Sequence, residues 1–214
     1  MKYIKQLRSM FNVLCSTRGS YTLIEILVAV GVFFIVIAAP TGFFVGSLKG
    51  QQKALSSQEL LDQTSYVLEY MSRAIRMAKK DKIGDCISDK YNYENPGGMS
   101  SAIRFINYDG RCQEFFLDLA NRQLYERKST DGNALNFGSA LPLTSDKLEI
   151  ISFEAKDPNN GWRQYDEENQ VADKYQPRVT LFLEIKGIRS ARSELQPVIK
   201  IQTTISQRNL DVIY

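Results

Sequence analysis

Hydrophobic and polar positions alternate with different periods along the chain, and near the N-terminus the polar positions almost disappear. The segment ILVAVGVFFIVIAAPTGFFV, from Ile26 to Val45, contains no ionisable side chain. Together with Leu23 and Ile24 it is long enough to cross a bilayer as a helix. We therefore predict a transmembrane helix over residues 21–47.

The following segment lacks helix breakers and carries a helical repeat. Between residues 48 and 82 there is no proline and a single glycine, Gly50. Two rows of residues spaced by a heptad predict one core-facing stripe; they are Thr64, Met71 and Ala78, and Leu61, Leu68 and Ile75. Five charged residues are expected to face outwards: Glu59, Asp62, Glu69, Arg73 and Arg76. Turn-forming residues from Gly84 onwards end this predicted amphipathic helix, which covers 48–84.

The rest of the chain, residues 85–214, has the short alternating segments typical of strands. They are 102–108, 113–119, 122–128, 148–156, 178–187 and 198–206. In 178–187, alternation places one set of residues on a buried face: Val179, Leu181, Leu183 and Ile185. We predict an α+β fold in which the amphipathic half of a long N-terminal helix packs on an antiparallel β-sheet.

The irregular segment 156–177 is predicted to be a long loop between two strands. Its aromatic residues, Trp162, Tyr165 and Tyr175, either contact a neighbouring subunit or pack the loop onto the sheet, and we favour the packing role. Its oxygen-bearing side chains do not have the spacing of an EF-hand; they are Asp157, Asn159, Asp166, Glu167 and Glu168. We therefore predict no metal site.

Composition argues against catalysis. The net charge is +3 and the chain contains no histidine, which removes the usual general base and the commonest zinc ligand. No nucleophile motif or glycine-rich phosphate loop is present, so we expect neither an enzyme nor a cofactor. The basic cluster after the helix lacks interleaved aromatic residues, so a solvated helix end is favoured over a nucleic-acid site; it comprises Arg73, Arg76, Lys79, Lys80 and Lys82.

One acid, Glu25, lies at the start of the apolar run, and no other charged residue follows it until Lys49. An ionised carboxylate inside a membrane is costly unless it is paired. One interpretation is a solvated acid at the headgroup level, and the other is an acid with a specific partner. The surrounding sequence GSYTLIEILVAVGVF resembles the N-terminal segment of type IV prepilins and type II secretion pseudopilins, which favours the second interpretation.

The resemblance implies that a basic leader, residues 1–20, is removed on the cytoplasmic side by a prepilin peptidase, which methylates the new N-terminus. Cleavage between Ser20 and Tyr21 would make Glu25 the fifth residue of the mature chain, whereas the peptidase's preference for glycine would select Gly19–Ser20. Glu25 would then pair with the N-terminal amine of an adjacent subunit and set the register. Pro40, which is expected to kink the helix, also agrees with the family.

The positive charges before the apolar run, with no acid among them, predict a cytoplasmic N-terminus and an exported C-terminal domain. Export makes a Cys86–Cys112 disulfide plausible, because Cys15 lies in the leader, and two separate buried thiols are the alternative. The segment YMSRAIRMA, followed by LTSDKLEIISFEAK, QPRVTLFLEIKG and IQTTISQRN, is similar to J-type pseudopilins and related minor pilins. This implies a minor subunit in a tip or assembly-priming complex, with other pilin subunits, the inner-membrane assembly platform and the membrane as partners.

Three kinds of filament remain open at this point: a type IV pilus, a competence pilus and a secretion pseudopilus. The alternative function is a membrane-tethered extracellular adhesin or binding module that uses the pilin-type segment only as an address.

Overall fold

The computed structural model describes residues 20–88, 91–162, 165–166, 171–172, 176–188 and 196–208. The chain divides into two compact units, Met1–Gly50 and Gln51–Tyr214. Helix α1, Leu23–Arg76, begins in the first unit and ends in the second. The leader residues before Ser20 lie outside the described part.

In the first unit, α1 has no buried face. Every residue from Ser20 to Gly50 whose side chain is described is exposed. The most apolar window of α1 has a mean hydropathy of 2.7, and by length and composition the helix is able to cross a membrane. The helical assignment is continuous through Pro40, and the Thr41 hydroxyl donates to the Ile37 carbonyl at 2.5 Å. The kink at Pro40 stays a prediction.

In the second unit, the same helix buries one stripe. Its fully buried residues are spaced by three or four positions, as one helical face requires; they are Leu60, Thr64, Val67, Met71 and Ile75. The prediction that Leu61 belongs to this stripe is wrong, because Leu61 is 48% exposed while Leu60 is 1% exposed. One position corresponds to about 100° of helical rotation, which carries Leu61 off the face that Thr64 and Met71 share.

The helix ends at Arg76, so the predicted end near Gly84 is also wrong. Residues after Arg76 have side chains that suit a helix, but tertiary contacts override this preference. The Lys79 amide donates to the Ile106 carbonyl at 2.8 Å, which makes Lys79 an extended partner of the sheet. The Tyr93 hydroxyl donates to the Ile75 carbonyl at 2.7 Å, and Gln207 Nε2 donates to the Ala78 carbonyl at 2.9 Å.

The first sheet contains β1 (Ala102–Ile106), β2 (Cys112–Asp118), β3 (Gln123–Lys128) and β4 (Leu141–Pro142), in that order. Each neighbouring pair is antiparallel. The turn between β1 and β2 contains Gly110 at a φ of +80°, a backbone conformation that favours glycine. The predicted meander of three strands is confirmed, and β4 is an additional short strand.

The second sheet is formed by β5 (Leu148–Lys156), β8 (Arg178–Gly187) and β9 (Val198–Ser206), in the order β5-β8-β9. Between β5 and β8, the strands β6 (Tyr165–Asp166) and β7 (Val171–Ala172) form a small hairpin within the predicted loop. The predicted buried face of β8 is confirmed, since Val179, Leu181, Leu183 and Ile185 are at most 3% exposed.

The core of the second unit lies between α1 and the sheets. Met71 and Ile75 of the helix belong to the same buried cluster as Phe105, Phe115 and Leu181 of the strands. The rings of Tyr70 and Phe115 meet edge to face, with centroids 6.2 Å apart. The predicted α+β fold, a long N-terminal helix packed on antiparallel strands, is therefore confirmed.

Candidate functional site

The predicted cleavage segment lies immediately before the helix. Ser20, Tyr21 and Thr22 are exposed and outside regular secondary structure, and Tyr21 is 75% exposed. Gly19 lies outside the described residues. A protease needs an accessible, non-helical peptide at the bond that it cleaves. The Ser20–Tyr21 bond lies in such a peptide, and so does Ser20, the residue that follows the alternative cleavage position at Gly19.

Glu25 is positioned by the start of the helix. Thr22 is the N-cap residue: its side-chain Oγ1 accepts from the Glu25 amide at 3.3 Å, and its carbonyl accepts from the same amide at 3.0 Å. Thr22-Leu23-Ile24-Glu25 therefore matches the capping-box pattern, in which threonine is followed three residues later by glutamate. The spacing is visible in the sequence, but within the described residues the Glu25 side chain makes no return hydrogen bond to the Thr22 amide, so only its backbone amide takes part in the cap.

The Glu25 carboxylate itself remains available. Within the part of the chain that the structure describes, it has no hydrogen-bond or ion-pair partner, and its position near the helix N-terminus favours a negative charge. Capping uses the amide of Glu25, so the carboxylate can pair with a cation from another molecule without disturbing the helix start.

The helical segment that follows presents a continuous apolar surface. Its exposed side chains include Leu27, Phe33, Phe34, Ile37 and Phe43. Monomeric soluble proteins rarely leave so long an apolar surface in water. By its length and composition, the segment is able to cross a membrane.

In the second unit, Cys86 and Cys112 form a disulfide with their Cα atoms 5.4 Å apart. The pairing that the exported topology predicts is therefore present. The bond joins the segment after α1 to the first residue of β2, across a sequence separation of 26. In the chain-entropy model, closing a loop of this size stabilises the fold by roughly 3.5 kcal/mol.

The segment between α1 and this disulfide is folded around the carboxylate of Asp81, which is 2% exposed. One oxygen accepts from the amides of Ile83 and Gly84, and the other accepts from those of Cys86 and Ile87, at 2.9–3.1 Å. Burial raises the pKa of Asp81, but these backbone hydrogen bonds outweigh it, so the pKa lies below its ordinary value. Sequence reasoning missed this role, because Asp81 is one of several charges in a polar segment.

A second buried acid fixes the helix against the first sheet. Glu126 Oε1 accepts from the Tyr70 hydroxyl at 2.7 Å and from Gln113 Nε2 at 2.5 Å. Lys128 Nζ lies 3.2 Å from the same oxygen and donates to the Tyr70 hydroxyl at 3.0 Å. A buried polar network of this kind is satisfied in only one arrangement, so it sets the position of Tyr70 on the sheet.

The basic cluster at the end of α1 is partly neutralised. Arg73 forms an ion pair with Glu69 one helical turn earlier, at 2.5 Å, and both side chains are mostly exposed. Lys79 Nζ lies over the ring of Tyr108, 5.0 Å from its centroid. Exposed pairs of this kind contribute little to stability. Only Arg73 and Arg76 of the cluster lie in α1, so the preference for a solvated helix end stays a prediction.

The aromatic residue of the 156–177 segment that the structure describes packs onto the core. Trp162 is buried, its indole Nε1 donates to the Arg178 carbonyl at 2.6 Å, and its ring lies 5.8 Å from that of Tyr93. The packing role is therefore confirmed for Trp162. The side chain of Tyr165 and all of Tyr175 lie outside the described residues.

Asp157, at the start of the same segment, holds a turn. Its carboxylate accepts from the amides of Asn159, Gly161 and Trp162 at 3.0–3.3 Å. Glu167 and Glu168, together with the Asp166 side chain, lie outside the described residues. Among the residues that are described, no group of three or more histidine, cysteine or acidic side chains could hold a metal ion.

Comparison of the chain with protein-family models, with characterised proteins and with solved structures finds no match. The geometry alone therefore characterises the candidate site: an accessible peptide, a capped helix start with an acid that has no partner among the described residues, and an apolar helical surface.

Proposed function

We propose that the chain is a minor pilin or pseudopilin, a non-enzymatic subunit of a type IV pilus or type II secretion-type filament. The observation that carries the proposal is the order of features along one short segment. An accessible peptide at Ser20–Tyr21 is followed by a helix start capped by Thr22, by the unpaired carboxylate of Glu25 and by an exposed apolar helix. A processed subunit that moves from lipid into a filament requires these features in this order.

In this proposal a prepilin peptidase removes residues 1–20 or 1–19, and the new N-terminal ammonium group lies near the helix start. The Glu25 carboxylate of one subunit pairs with the ammonium of its neighbour. Each charge would be costly alone in an apolar environment, by several kcal/mol. Pairing removes that cost only when the two helices are in the correct axial register, which gives assembly its selectivity.

The proposed location follows from the same segment. The apolar part of α1 holds the subunit in the cytoplasmic membrane as a single span, with the α+β domain exported. After extraction by the assembly platform, the same surface packs against other pilin helices. The Cys86–Cys112 disulfide supports an exported domain, since such bonds persist in oxidising compartments. A minor, tip-located subunit is proposed from the similarity of the later segments to J-type pseudopilins.

Leader cleavage tests the proposal. We expect coexpression with an active prepilin peptidase to yield a chain whose N-terminal peptide begins at Tyr21 or Ser20, as read by mass spectrometry. A peptidase with its catalytic residues replaced is the control and should leave Met1 in place. An unprocessed chain with the active enzyme would contradict the proposal. Incorporation of the processed chain into sheared filaments separates a subunit from a tethered binding module, which would stay in the membrane pool.

A further inference from the structure

The edges of the two sheets differ in how they are protected. In the first sheet, the outer edge of β1 is covered by bridges from Lys79 to Ile106 and from Glu94 to Arg104. The opposite edge is β4, which is only two residues long and contains Pro142. Short strands and prolines are ordinary ways of preventing a sheet edge from pairing with another chain.

The second sheet protects one edge and not the other. On β5, the Ile150 amide donates to the Arg122 carbonyl and the Ala155 amide donates to the Ser100 carbonyl, both at 2.8 Å. β9, the other edge, pairs with β8 on one side. On its far side, β9 pairs with no strand among residues 20–88, 91–162, 165–166, 171–172, 176–188 and 196–208.

The sequence of β9 suits pairing. VIKIQTTIS contains no proline or glycine, most of its residues are β-branched, and its register with β8 is uninterrupted from Ser206 to Val198. Its one charge is Lys200, whose side chain is 76% exposed. On the core-facing side, Ile199, Ile201 and Thr203 are only half-buried. A long, regular, weakly charged edge is a ready template for another strand.

We propose that β9 pairs antiparallel with β9 of a second copy of this chain, about a two-fold axis at Gln202. This centre pairs all residues of the strand: Ile201 lies opposite Thr203, Ile199 opposite Ile205, and Val198 opposite Ser206. The core-facing residues then remain on one face of a continuous sheet that spans both copies.

Charge supports a second copy as the occupant. In this register Lys200 lies opposite Thr204 of the other copy, so the only charge of the strand never faces its own equivalent. The interface is self-complementary, as two-fold symmetry requires. The half-buried faces of Ile201 and Thr203 are covered by the partner strand. The inference does not rest on the proposed pilin function, because it uses only the strands of the second unit.

Cysteine crosslinking in membranes tests the register, with the full chain carrying Cys15→Ser so that no other unpaired thiol is present. In Gln202→Cys, the two introduced thiols would lie opposite each other, with Cβ atoms about 5 Å apart. We expect oxidation or a short bifunctional maleimide to convert most of the chain to a species of twice the mass. Lys156→Cys, an exposed position on β5, is the matched control and should remain monomeric.

Lys200→Cys sharpens the register, since its thiol would face Thr204, and we expect little crosslinking unless Thr204→Cys is added. Persistent monomer in Gln202→Cys would overturn the proposal, as would equal crosslinking of Lys156→Cys, which indicates random collision. Crosslinking of Gln202→Cys to a protein of different mass would also overturn it, by showing that another chain occupies this edge.

Discussion

The two parts of α1 have the same backbone conformation but opposite relations to their surroundings. In the first unit, Phe34 is 65% exposed and no polar stripe interrupts the apolar surface. In the second unit, Met71 is 0% exposed, and charged residues such as Glu69 and Arg73 occupy the opposite face. Both parts are therefore helical. The placement of polar residues determines whether a part packs one face into the protein core or leaves an apolar surface exposed.

The two ends of α1 differ in a related way. At the start of the helix, the side-chain oxygen and the carbonyl oxygen of Thr22 both accept a hydrogen bond from the Glu25 amide. The N-terminal boundary of α1 is therefore set by residues at most four positions apart. At the end, the carbonyls of Ile75 and Ala78 accept from Tyr93 and Gln207, which are distant in sequence. A local boundary can be read from sequence, and a tertiary one cannot.

The largest loss of stability is expected when a buried side chain in the second part of α1 is truncated. Met71→Ala should lower the free energy of unfolding of the second unit by about 2–5 kcal/mol, because it leaves a cavity in a closed core. Phe34→Ala removes a larger side chain but should leave that free energy unchanged. Denaturant titration of the full chain in detergent measures both, and Trp162, the only tryptophan, reports on the second unit because it is buried in that core.

Leu61→Ala serves as the matched control within the second unit, because Leu61 lies next to the buried stripe but is largely exposed. Its cost should be well under that of Met71→Ala. A loss of stability in Phe34→Ala comparable to that in Met71→Ala would show that both parts of α1 are covered by the same domain, and the contrast would fail.

Much of the fold was predictable because it depends on local periodicity. The alternation in 178–187 identified the buried face of β8, and the first three strands were located within a few residues. The apolar run and its flanking charges identified the membrane-compatible helix in the same way. For the candidate site, the threonine-to-glutamate spacing at Thr22 and Glu25 was visible but was not interpreted as a capping box.

The errors share a physical cause. The lack of helix breakers before Gly84 predicts a helix to that point, whereas the pairing of Lys79 with Ile106 makes the chain extended there. Two further elements were not predicted: the hairpin of β6 and β7, and the strand β4. Each depends on the pairing of only two residues with two others, which leaves no periodic pattern in the sequence. The role of Asp81 was not predicted, because no local pattern shows that a carboxylate will organise a loop.

Asp81→Asn should have the next largest effect, a loss of about 1–3 kcal/mol, because an amide nitrogen would face backbone donors that now share two carboxylate oxygens. The lowered pKa also predicts a pH dependence. The folded carboxyl loses its proton more readily than the unfolded one, so its stabilising contribution is complete above the unfolded pKa of about 3.9 and is lost as pH falls through the folded value.

Unfolding free energies measured from neutral to acidic pH check this prediction. The wild-type chain should lose more stability on acidification than Asp81→Asn, so the two curves converge at low pH. Asp62→Asn, at an exposed position of α1, is the control and should follow the wild type. Parallel curves for wild type and Asp81→Asn would contradict the assigned role of the carboxylate.

Glu25→Val should have the smallest effect on stability and a specific effect on assembly. An apolar side chain suits a membrane helix, so insertion, leader cleavage and the unfolding of the second unit should match the wild type. Without the carboxylate, the ammonium of a neighbouring subunit is left unpaired, at a cost of several kcal/mol. We expect the cleaved variant to accumulate in membranes and to be lost from sheared filaments, with Glu25→Asp intermediate because it keeps the charge with a shorter reach.

Glu25→Gln separates the charge of this residue from its place in the helix start. The cap uses only the backbone amide of residue 25, which glutamine also supplies, so Thr22 and residue 25 would still begin the helix together, while the negative charge is lost. If pairing with an ammonium drives assembly, Glu25→Gln should fail to enter filaments as Glu25→Val does. If Glu25 serves only to start the helix, Glu25→Gln should assemble normally, and Thr22→Val, which keeps the acid but removes the hydroxyl acceptor, should be the variant that fails. Filament incorporation of these variants therefore distinguishes an acid used between subunits from one used within α1.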